Sequence, residues 1–184
     1  MATTHTYTWR RLDIDHGLGQ VRFGEAQDGQ VVTGSEVAVT GDKRWVAHFY
    51  VELDALWRTR VAVVAVSDGE GDRRVRLDAD GAGNWRVDDV PTPELDGCLD
   101  VDIGAVPFTN TFVLRRIGLA EGDSRDVRAA FVDVPDLVVQ PLPQTYRRLG
   151  EHHYQYGDTS FGTYDLEVDA AGIVVEYSGF ATRV

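Results

Sequence analysis

The sequence has little cysteine and little basic charge. Cys98 is the one cysteine among 184 residues, which excludes an intrachain disulfide framework and a zinc site built only from cysteines. Lys and Arg number 18 against 30 Asp and Glu, so the formal net charge is −12. Nucleic-acid binding needs a basic surplus that neutralises phosphates, so this charge argues against it. With 43% hydrophobic residues, the composition predicts a soluble, acidic domain spanning residues 1–184.

Long hydrophobic runs are missing as well. The longest apolar stretch, residues 61–66, is far too short to cross a bilayer. Residues 1–11 are polar and lack the apolar centre of a signal peptide. We therefore expect a cytoplasmic protein that does not insert into membranes.

Familiar catalytic and metal-binding motifs are not found. There is no Gly-x-Ser-x-Gly elbow and no phosphate-binding Gly-x-x-x-x-Gly-Lys. Adjacent histidines, His152 and His153, would face opposite sides of a strand and could not share one metal ion. Cys98 is expected to be a buried core residue. The sequence thus predicts no cofactor, no metal site and, on balance, no enzyme.

Most of the chain alternates apolar and polar residues with period two, which is typical of β-strands. Gly-Asp and Asp-Gly turn signals separate these segments and favour an antiparallel meander that curls into a roll or barrel. The predicted fold class is mainly β. The segments are residues 19–23, 35–39, 46–51, 60–66, 73–77, 125–134, 164–168 and 173–177.

Helix is predicted in one place beyond a single turn at residues 54–57. After Pro107, either Thr109 or Asn110 is expected to cap a helix that runs to about Ile117. Its residues are apolar on more than one side, which suits a helix enclosed by a sheet. A strand over the same residues is the alternative.

Two stretches of the sequence share a spacing. Tyr50, Asp54, Trp57 and Thr59 match the spacing of Tyr154, Asp158, Phe161 and Thr163, and residues 77–81 resemble residues 168–172. Two related β-units in one sheet would explain this pattern, and so would chance.

Two pairs of charged residues are candidates for chemistry. Asp100 and Asp102 would project from one face of a strand about 6–7 Å apart, as an acid–base pair or as acceptors for sugar hydroxyls. A structural ion pair with Arg115 or Arg116 is the preferred interpretation. Arg58 and Arg60 likewise share a face, where they would clamp an anion or balance carboxylates of the chain itself.

A series of motifs resembles the putative glycolipid-binding family, a bacterial group long classed as a domain of unknown function. The most specific are Gly97-Cys-Leu-Asp-Val-Asp102 and Pro107-Phe-Thr-Asn-Thr111, which follow each other closely. Further matches run from Trp9 to Arg183. The family commonly has Leu-Pro-Ile after Thr-Asn-Thr, whereas this chain has Phe112-Val-Leu114. Losing that proline permits a more regular backbone here.

The resemblance implies a spiral β-roll, in which a long antiparallel sheet wraps around one helix, and a homodimer. This implied architecture is similar to that of the bacterial lipoprotein carriers. The resemblance therefore implies a non-catalytic protein that holds the acyl chains of a glycolipid or lipid in a cavity of the curled sheet. A sugar headgroup at the mouth of such a cavity needs hydrogen-bonding groups and an aromatic face. The candidate residues are Trp57, Arg58, Arg60, Asp100, Asp102, Thr109, Asn110 and Tyr146, whereas Trp9 and Trp85 are expected in the core.

Two other classes of function stay open at this point. An enzyme that acts on a sugar or lipid through the Asp100/Asp102 pair would need a deep polar pocket around both carboxylates and a raised pKa. A self-associating interaction protein would have a solid core and paired sheet edges or apolar patches.

Overall fold

Fifteen strands form one continuous sheet in residues 4–184, the part of the chain that this computed structural model describes. The first three residues of the polar N-terminal segment lie outside the described residues. Each of the eight segments with period-two alternation overlaps a strand, and the sheet is curled but not closed. The prediction of a mainly β roll with one α-helix is confirmed.

The chain starts in the middle of the sheet and builds each half in turn. From the middle to one edge run β1 (His5–Arg11), β2 (His16–Ala26), β3 (Gly29–Thr40), β4 (Lys43–Asp54), β5 (Thr59–Asp68), β6 (Gly71–Ala79), β7 (Trp85–Val87) and β8 (Val90–Pro91). After a 3₁₀ turn at Pro93–Leu95, the chain crosses to the opposite edge and returns inward. This second half comprises β9 (Asp100–Ile103), β10 (Ser124–Val132), β11 (Val139–Arg148), β12 (His153–Asp158), β13 (Gly162–Val168), β14 (Val174–Tyr177) and β15 (Ala181–Arg183).

Pairing of the first and last strands joins the two halves. β1 pairs antiparallel with β15, and Trp9 lies opposite Arg183. The indole of Trp9 donates to the carbonyl of Val174 at 2.9 Å, and its side chain is buried as expected. Residues near both ends of the chain therefore meet in the middle of the sheet.

Curling brings β9 against β5, although these strands are far apart in the sheet order. The amide of Thr59 donates to the carbonyl of Leu99 at 3.0 Å, and the Thr59 hydroxyl accepts from the amide of Val101 at 2.9 Å. Gly83, at φ +101°, approaches Gly97 so closely that a Cβ would lie 3.1 Å from its Cα. These contacts hold β9 and the segment that precedes it against the first half of the sheet.

The helix α1 (Thr109–Ile117) connects β9 to β10 and lies inside the curl, which explains why those two strands alone run parallel among the described pairs. Phe108 and Phe112 pack toward the first half of the sheet, for example against Phe23 at centroid distances of 6.4 and 6.3 Å. Val113 and Leu114 pack in the core of the second half. The helix is apolar on several sides because sheet surrounds it.

The helix ends near the predicted residue but does not begin as predicted. Gly118 follows Ile117 in a left-handed conformation at φ +53°, which ends the helix. At the other end, Phe108 occupies the capping position and makes no side-chain cap bond, so the prediction of a Thr109 or Asn110 cap is wrong. Both side chains instead bind groups outside the helix, as described below.

The repeated spacing corresponds to two turns that each begin with an aspartate but differ in their second hydrogen bond. Asp54 ends β4 and accepts from the amides of Leu56 and Arg58 through one oxygen; Asp158 ends β12 and accepts from the amides of Ser160 and Phe161.

A second pair of turns is also alike, but in a different register from the predicted one. Asp80 accepts from the amides two and four residues later, and so does Asp169. Asp169 therefore corresponds to Asp80, two residues beyond the Asp78 that the sequence echo suggested.

Candidate functional site

A pocket of about 300 Å³ opens where strand ends from both halves of the sheet meet the start of α1. Its lining combines aromatic rings with carboxylates, and we call it the aromatic pocket. The lining residues are Arg11, Asp13, Asp102, Ile103, Gly104, Val106, Asn110, Phe131, Asp133, Tyr156, Asp158, Phe161, Tyr164, Tyr177, Gly179 and Phe180.

Asp102 reaches the pocket from β9 and is held at both oxygens. The hydroxyl of Thr109 donates to Oδ1 at 2.9 Å, and the side-chain amide of Gln144 donates to Oδ2 at 2.6 Å. Burial raises the pKa of Asp102 to about 6, although both hydrogen bonds favour its charged form. This carboxylate is therefore fixed in position and titrates near neutral pH.

A buried hydrogen-bond network supports the pocket from behind. Tyr146 donates to the side-chain oxygen of Asn110 at 2.8 Å, and the Asn110 amide donates to the carbonyl of Pro107 at 3.2 Å. Gln144 also donates to the hydroxyl of Tyr156 at 3.2 Å. Burial raises the pKa of Tyr146 well above its ordinary value, so its hydroxyl stays protonated. The network orients Asn110 and Asp102 relative to α1.

Asp158 faces the pocket from the turn that follows β12. Its Oδ1 accepts from the amides of Ser160 and Phe161 at 2.7 and 2.6 Å. Its Oδ2 is buried and accepts no well-formed hydrogen bond within residues 4–184, although the Tyr156 hydroxyl lies beside the carboxylate. A buried carboxylate oxygen without a hydrogen bond is costly, so a donor that reached this atom from a bound molecule would stabilise the complex.

Four rings form a continuous aromatic wall on one side of the pocket. The ring of Tyr177 lies 5.8 Å from that of Tyr156, 5.3 Å from Tyr164 and 4.8 Å from Phe180, between centroids. On the other side, Phe131 contacts the exposed ring of Phe161 at 5.6 Å. Gly104 leaves room for Phe131, since a Cβ there would lie 2.8 Å from the ring.

Arg11 is the only cation among the lining residues, and its charge is already matched. Its Nε donates to Asp13 at 2.7 Å, while one terminal nitrogen contacts Glu36 at 3.2 Å and donates to the carbonyl of Ala105 at 2.8 Å. Burial raises the pKa of Glu36 to about 7. The guanidinium lies 4.2 Å from the centre of the Phe180 ring.

Of the residues proposed from the sequence, Asp102 and Asn110 line the pocket, and Thr109 and Tyr146 directly support them. Asp100 does not line it. It is fully buried and paired with Arg116, whose Nε donates to its Oδ1 at 2.8 Å. The expected ion pair is thus confirmed for Asp100, whereas Asp102 on the same strand binds Thr109 and Gln144.

Trp57, Arg58 and Arg60 lie at the Asp54 turn, outside the lining of the aromatic pocket. Arg58 contacts Asp54 Oδ2 at 2.8 Å, and Arg60 lies 4.0 Å from the same oxygen. The guanidinium of Arg115 lies 4.7 Å from the centre of the Trp57 ring. Arg58 and Arg60 therefore balance the carboxylate of Asp54.

Sequence reasoning missed most of the pocket, including Arg11, Asp133, Phe131 and the ring wall. One signal was available, because the repeated spacing singles out Asp158 and Phe161. At the positions that hold Arg58 and Arg60 in the first copy, the second copy has Gly162 and Tyr164. The second copy therefore lacks both arginines, and within the described residues its Asp158 forms no ion pair.

The described residues provide neither a cluster of metal ligands nor a membrane-spanning helix. Within residues 4–184, no three His, Cys, Asp or Glu side chains lie close enough together to hold a metal ion. The described part of the chain also contains no helix that is long and apolar enough to cross a membrane.

Comparison with known proteins identifies the family. One solved structure, a DUF1089 family protein from Pseudomonas aeruginosa, superposes with a TM-score of 0.80 at 33% identity, covering 90% of this chain and 92% of that chain. Among proteins of curated function, none matches this sequence. The family model described as "Putative glycolipid-binding" matches residues 6–183, and the chain belongs to that family.

Proposed function

We propose that this protein binds the sugar headgroup of a glycolipid in the aromatic pocket without converting it chemically. The observation that carries the proposal is the Asp158 carboxylate, which lines a pocket of aromatic rings and whose buried Oδ2 accepts no well-formed hydrogen bond within the described residues. The family description supports the same class of ligand.

The lining suits a sugar ring on physical grounds. A sugar has apolar C–H faces that pack on aromatic rings, here Tyr164, Tyr177 and Phe180, and hydroxyls that donate to carboxylates. A donor to Asp158 would satisfy an oxygen that is otherwise buried without a well-formed hydrogen bond in the described residues. The pocket volume of about 300 Å³ lies at the lower end for small-molecule sites, which suits a headgroup rather than a whole lipid.

The acyl chains have two routes in this proposal. Inside the curled sheet they would need space beside Phe108 and Phe112, which are fully buried. A chain that leaves the pocket past Phe161, a ring 56% exposed, requires no rearrangement of the core. We favour the second route, and the cavity within the sheet stays a prediction.

Alkyl glycosides of increasing length distinguish the two routes. Butyl, hexyl and octyl glucosides are titrated by calorimetry below the concentrations at which they form micelles. Burial inside the sheet would add about 0.8 kcal/mol of binding free energy for each methylene group. The outward route predicts a much smaller increment for each methylene.

A matched pair of variants tests the binding site itself. Asp158→Asn keeps an oxygen for the turn amides but replaces Oδ2 with a donor, whereas Asp54→Asn makes the same change at the turn outside the pocket. We expect Asp158→Asn to weaken octyl glucoside binding about tenfold, since a hydrogen bond to a charged group contributes about 1.5–3 kcal/mol. Asp54→Asn should bind like the wild type. Equal affinities in all three proteins would remove the pocket from the proposal.

An enzyme is the second candidate, favoured by the pKa of about 6 at Asp102 in a pocket that also contains Asp158. Asp100 and Asp102 cannot act together in this pocket, because Asp100 is paired with Arg116 and does not line it. Incubation with chromogenic aryl glycosides tests this candidate. Turnover that Asp102→Asn abolishes would establish it over pure binding.

The homodimer and the cytoplasmic location implied earlier remain part of the proposal. Size-exclusion chromatography with light scattering tests the first, and fractionation of cells that produce the protein tests the second.

A further inference from the structure

We propose that the headgroup bound in the aromatic pocket carries a primary amine, as in an amino sugar, and that Asp158 is the group that recognises it. This inference rests on the proposed function and specifies the class of its ligand.

The charge of the lining is the first reason. Four carboxylates, Asp13, Asp102, Asp133 and Asp158, face one guanidinium, that of Arg11. Arg11 is bound to Asp13 and also to Glu36, so it does not neutralise the other three. The chain's net charge of −12 adds to this negative potential. A phosphate or carboxylate on the headgroup would be repelled, whereas an ammonium would be attracted.

The state of Asp158 is the second reason. Its Oδ1 is bound by the amides of Ser160 and Phe161, while its Oδ2 is buried without a well-formed hydrogen bond in the described residues. Asp54 also uses one oxygen for two turn amides, although from residues two and four rather than two and three positions later, and its other oxygen contacts Arg58 at 2.8 Å. Within the described residues no Lys or Arg pairs with Asp158, so an ammonium on a ligand would supply the cation that its charge lacks. An ammonium forms stronger hydrogen bonds to a carboxylate than a neutral hydroxyl does.

The aromatic wall is the third reason, because aromatic faces attract cations. The guanidinium of Arg11 already stacks on Phe180 at 4.2 Å, which shows that this wall accommodates a cation. Tyr177 and Tyr164 continue the wall beyond Phe180. An ammonium bound by Asp158 would lie in a pocket lined by these rings.

A set of ligands with the same octyl chain tests this inference. Octyl glucoside, its 2-amino-2-deoxy analogue, the N-acetylated form of that analogue and octyl glucuronide are titrated near neutral pH at low salt. We expect the amine to bind about tenfold more tightly than the glucoside, which corresponds to about 1.4 kcal/mol, and the glucuronide to bind most weakly. N-acetylation should remove the gain, because it removes the charge.

The variants place this preference at Asp158. In Asp158→Asn, the amine and the glucoside should bind with similar affinity, while Asp54→Asn keeps the full preference. Added salt should weaken the amine more than the glucoside in the wild type. Circular dichroism and thermal unfolding of both variants confirm that they are folded.

The outcomes separate this inference from the proposed function. Equal binding of the amine and the glucoside, or preference for the glucuronide, would overturn the amine assignment and leave sugar binding intact. An amine preference that persists in folded Asp158→Asn would also overturn it. If none of the four ligands bound, the proposed function itself would fail.

Discussion

Two turns of this molecule begin alike and end differently. Asp54 and Asp158 each follow a strand, and each uses one carboxylate oxygen to accept two backbone amides of the turn. At the Asp54 turn, Arg58 and Arg60 approach the second oxygen; at the Asp158 turn, the corresponding residues are Gly162 and Tyr164. One carboxylate is thus neutralised within the chain, and the other faces a pocket.

The aromatic residues of the two turns also differ in how far they are exposed to solvent. Trp57 is partly buried beneath the guanidinium of Arg115, whereas Phe161 is 56% exposed and lines the pocket. One local sequence pattern therefore supports a structural role in the first half of the sheet and an accessible site in the second. The residues around a shared motif, rather than the motif itself, decide which role it has.

Tyr164→Arg would give the Asp158 turn the arginine that Arg60 provides at the Asp54 turn. The new guanidinium would pair with Asp158 and occupy the pocket, so we expect octyl glucoside binding to fall about a hundredfold or more, which calorimetry measures. Arg60→Tyr is the matched control and should leave binding unchanged. Wild-type affinity in a folded Tyr164→Arg protein would contradict the claim that the two turns differ in function because only one of them has arginines.

The pH dependence of stability tests the electrostatics of the pocket. The pKa of Asp102 is about 6 in the folded protein, above its ordinary value of 3.8. The folded state therefore binds more protons than the unfolded state between these values, and Asp102 lowers the free energy of unfolding as pH rises through that window. This destabilising contribution is on the order of 3 kcal/mol, present in full above pH 6 and absent below the ordinary value.

Urea unfolding at a series of pH values measures this slope. Asp102→Asn should flatten it, and the remaining slope should lie nearer neutral pH, where Glu36 titrates with a raised pKa of about 7. The charge of Asp158 contributes to the raised pKa of Asp102, so Asp158→Asn should reduce the slope in part. An effect of Asp54→Asn as large as that of Asp158→Asn would contradict the account.

The stabilities of Asp54→Asn and Asp158→Asn should also differ. Asp54→Asn removes an ion pair with Arg58 that is partly shielded from solvent, so we expect the free energy of unfolding to fall by about 1 kcal/mol. Asp158→Asn removes a buried charge whose Oδ2 accepts no well-formed hydrogen bond in the described residues, so its stability should be equal to or above that of the wild type. A larger loss in Asp158→Asn than in Asp54→Asn, measured by urea unfolding, would reverse the assignment of roles.

The smallest effects are expected from the two aromatic residues. Phe161→Ala should weaken glycoside binding several-fold, since an aromatic contact contributes about 0.5–1.5 kcal/mol, and should change stability little because the ring is exposed. Trp57→Ala should do the opposite, lowering stability through loss of the contact with Arg115 while leaving binding unchanged. Parallel titrations and thermal unfolding separate the two effects.

The sequence predicted the fold better than the pocket, because strand alternation is local. β11 shows where even this signal fails, since Pro141 and Pro143 argue against a strand. Both prolines lie in the part of β11 that pairs with β10 alone, while pairing with β12 starts at Gln144. The strand therefore tolerates two residues without an amide hydrogen.

The pocket depends on contacts that no local pattern encodes. Asp102 and Asn110 were predictable together because one loop joins β9 to α1. Arg11, Phe180 and Asp158 meet them only because the sheet curls and β1 pairs with β15. Conversely, the sequence left open whether Arg58 and Arg60 clamp an anion or balance carboxylates of the chain, and the structure places both beside Asp54.

The most direct test of the central claim is native mass spectrometry of freshly purified wild type, Asp158→Asn and Asp54→Asn, with lipid analysis of an organic extract of each. The account predicts an adduct of defined mass in the wild type and in Asp54→Asn, released by the extraction as a lipid with a sugar headgroup, and a clearly lower occupancy of that adduct in Asp158→Asn. The same adduct at wild-type occupancy in folded Asp158→Asn would contradict it, and so would three proteins free of lipid that also fail to bind added alkyl glycosides.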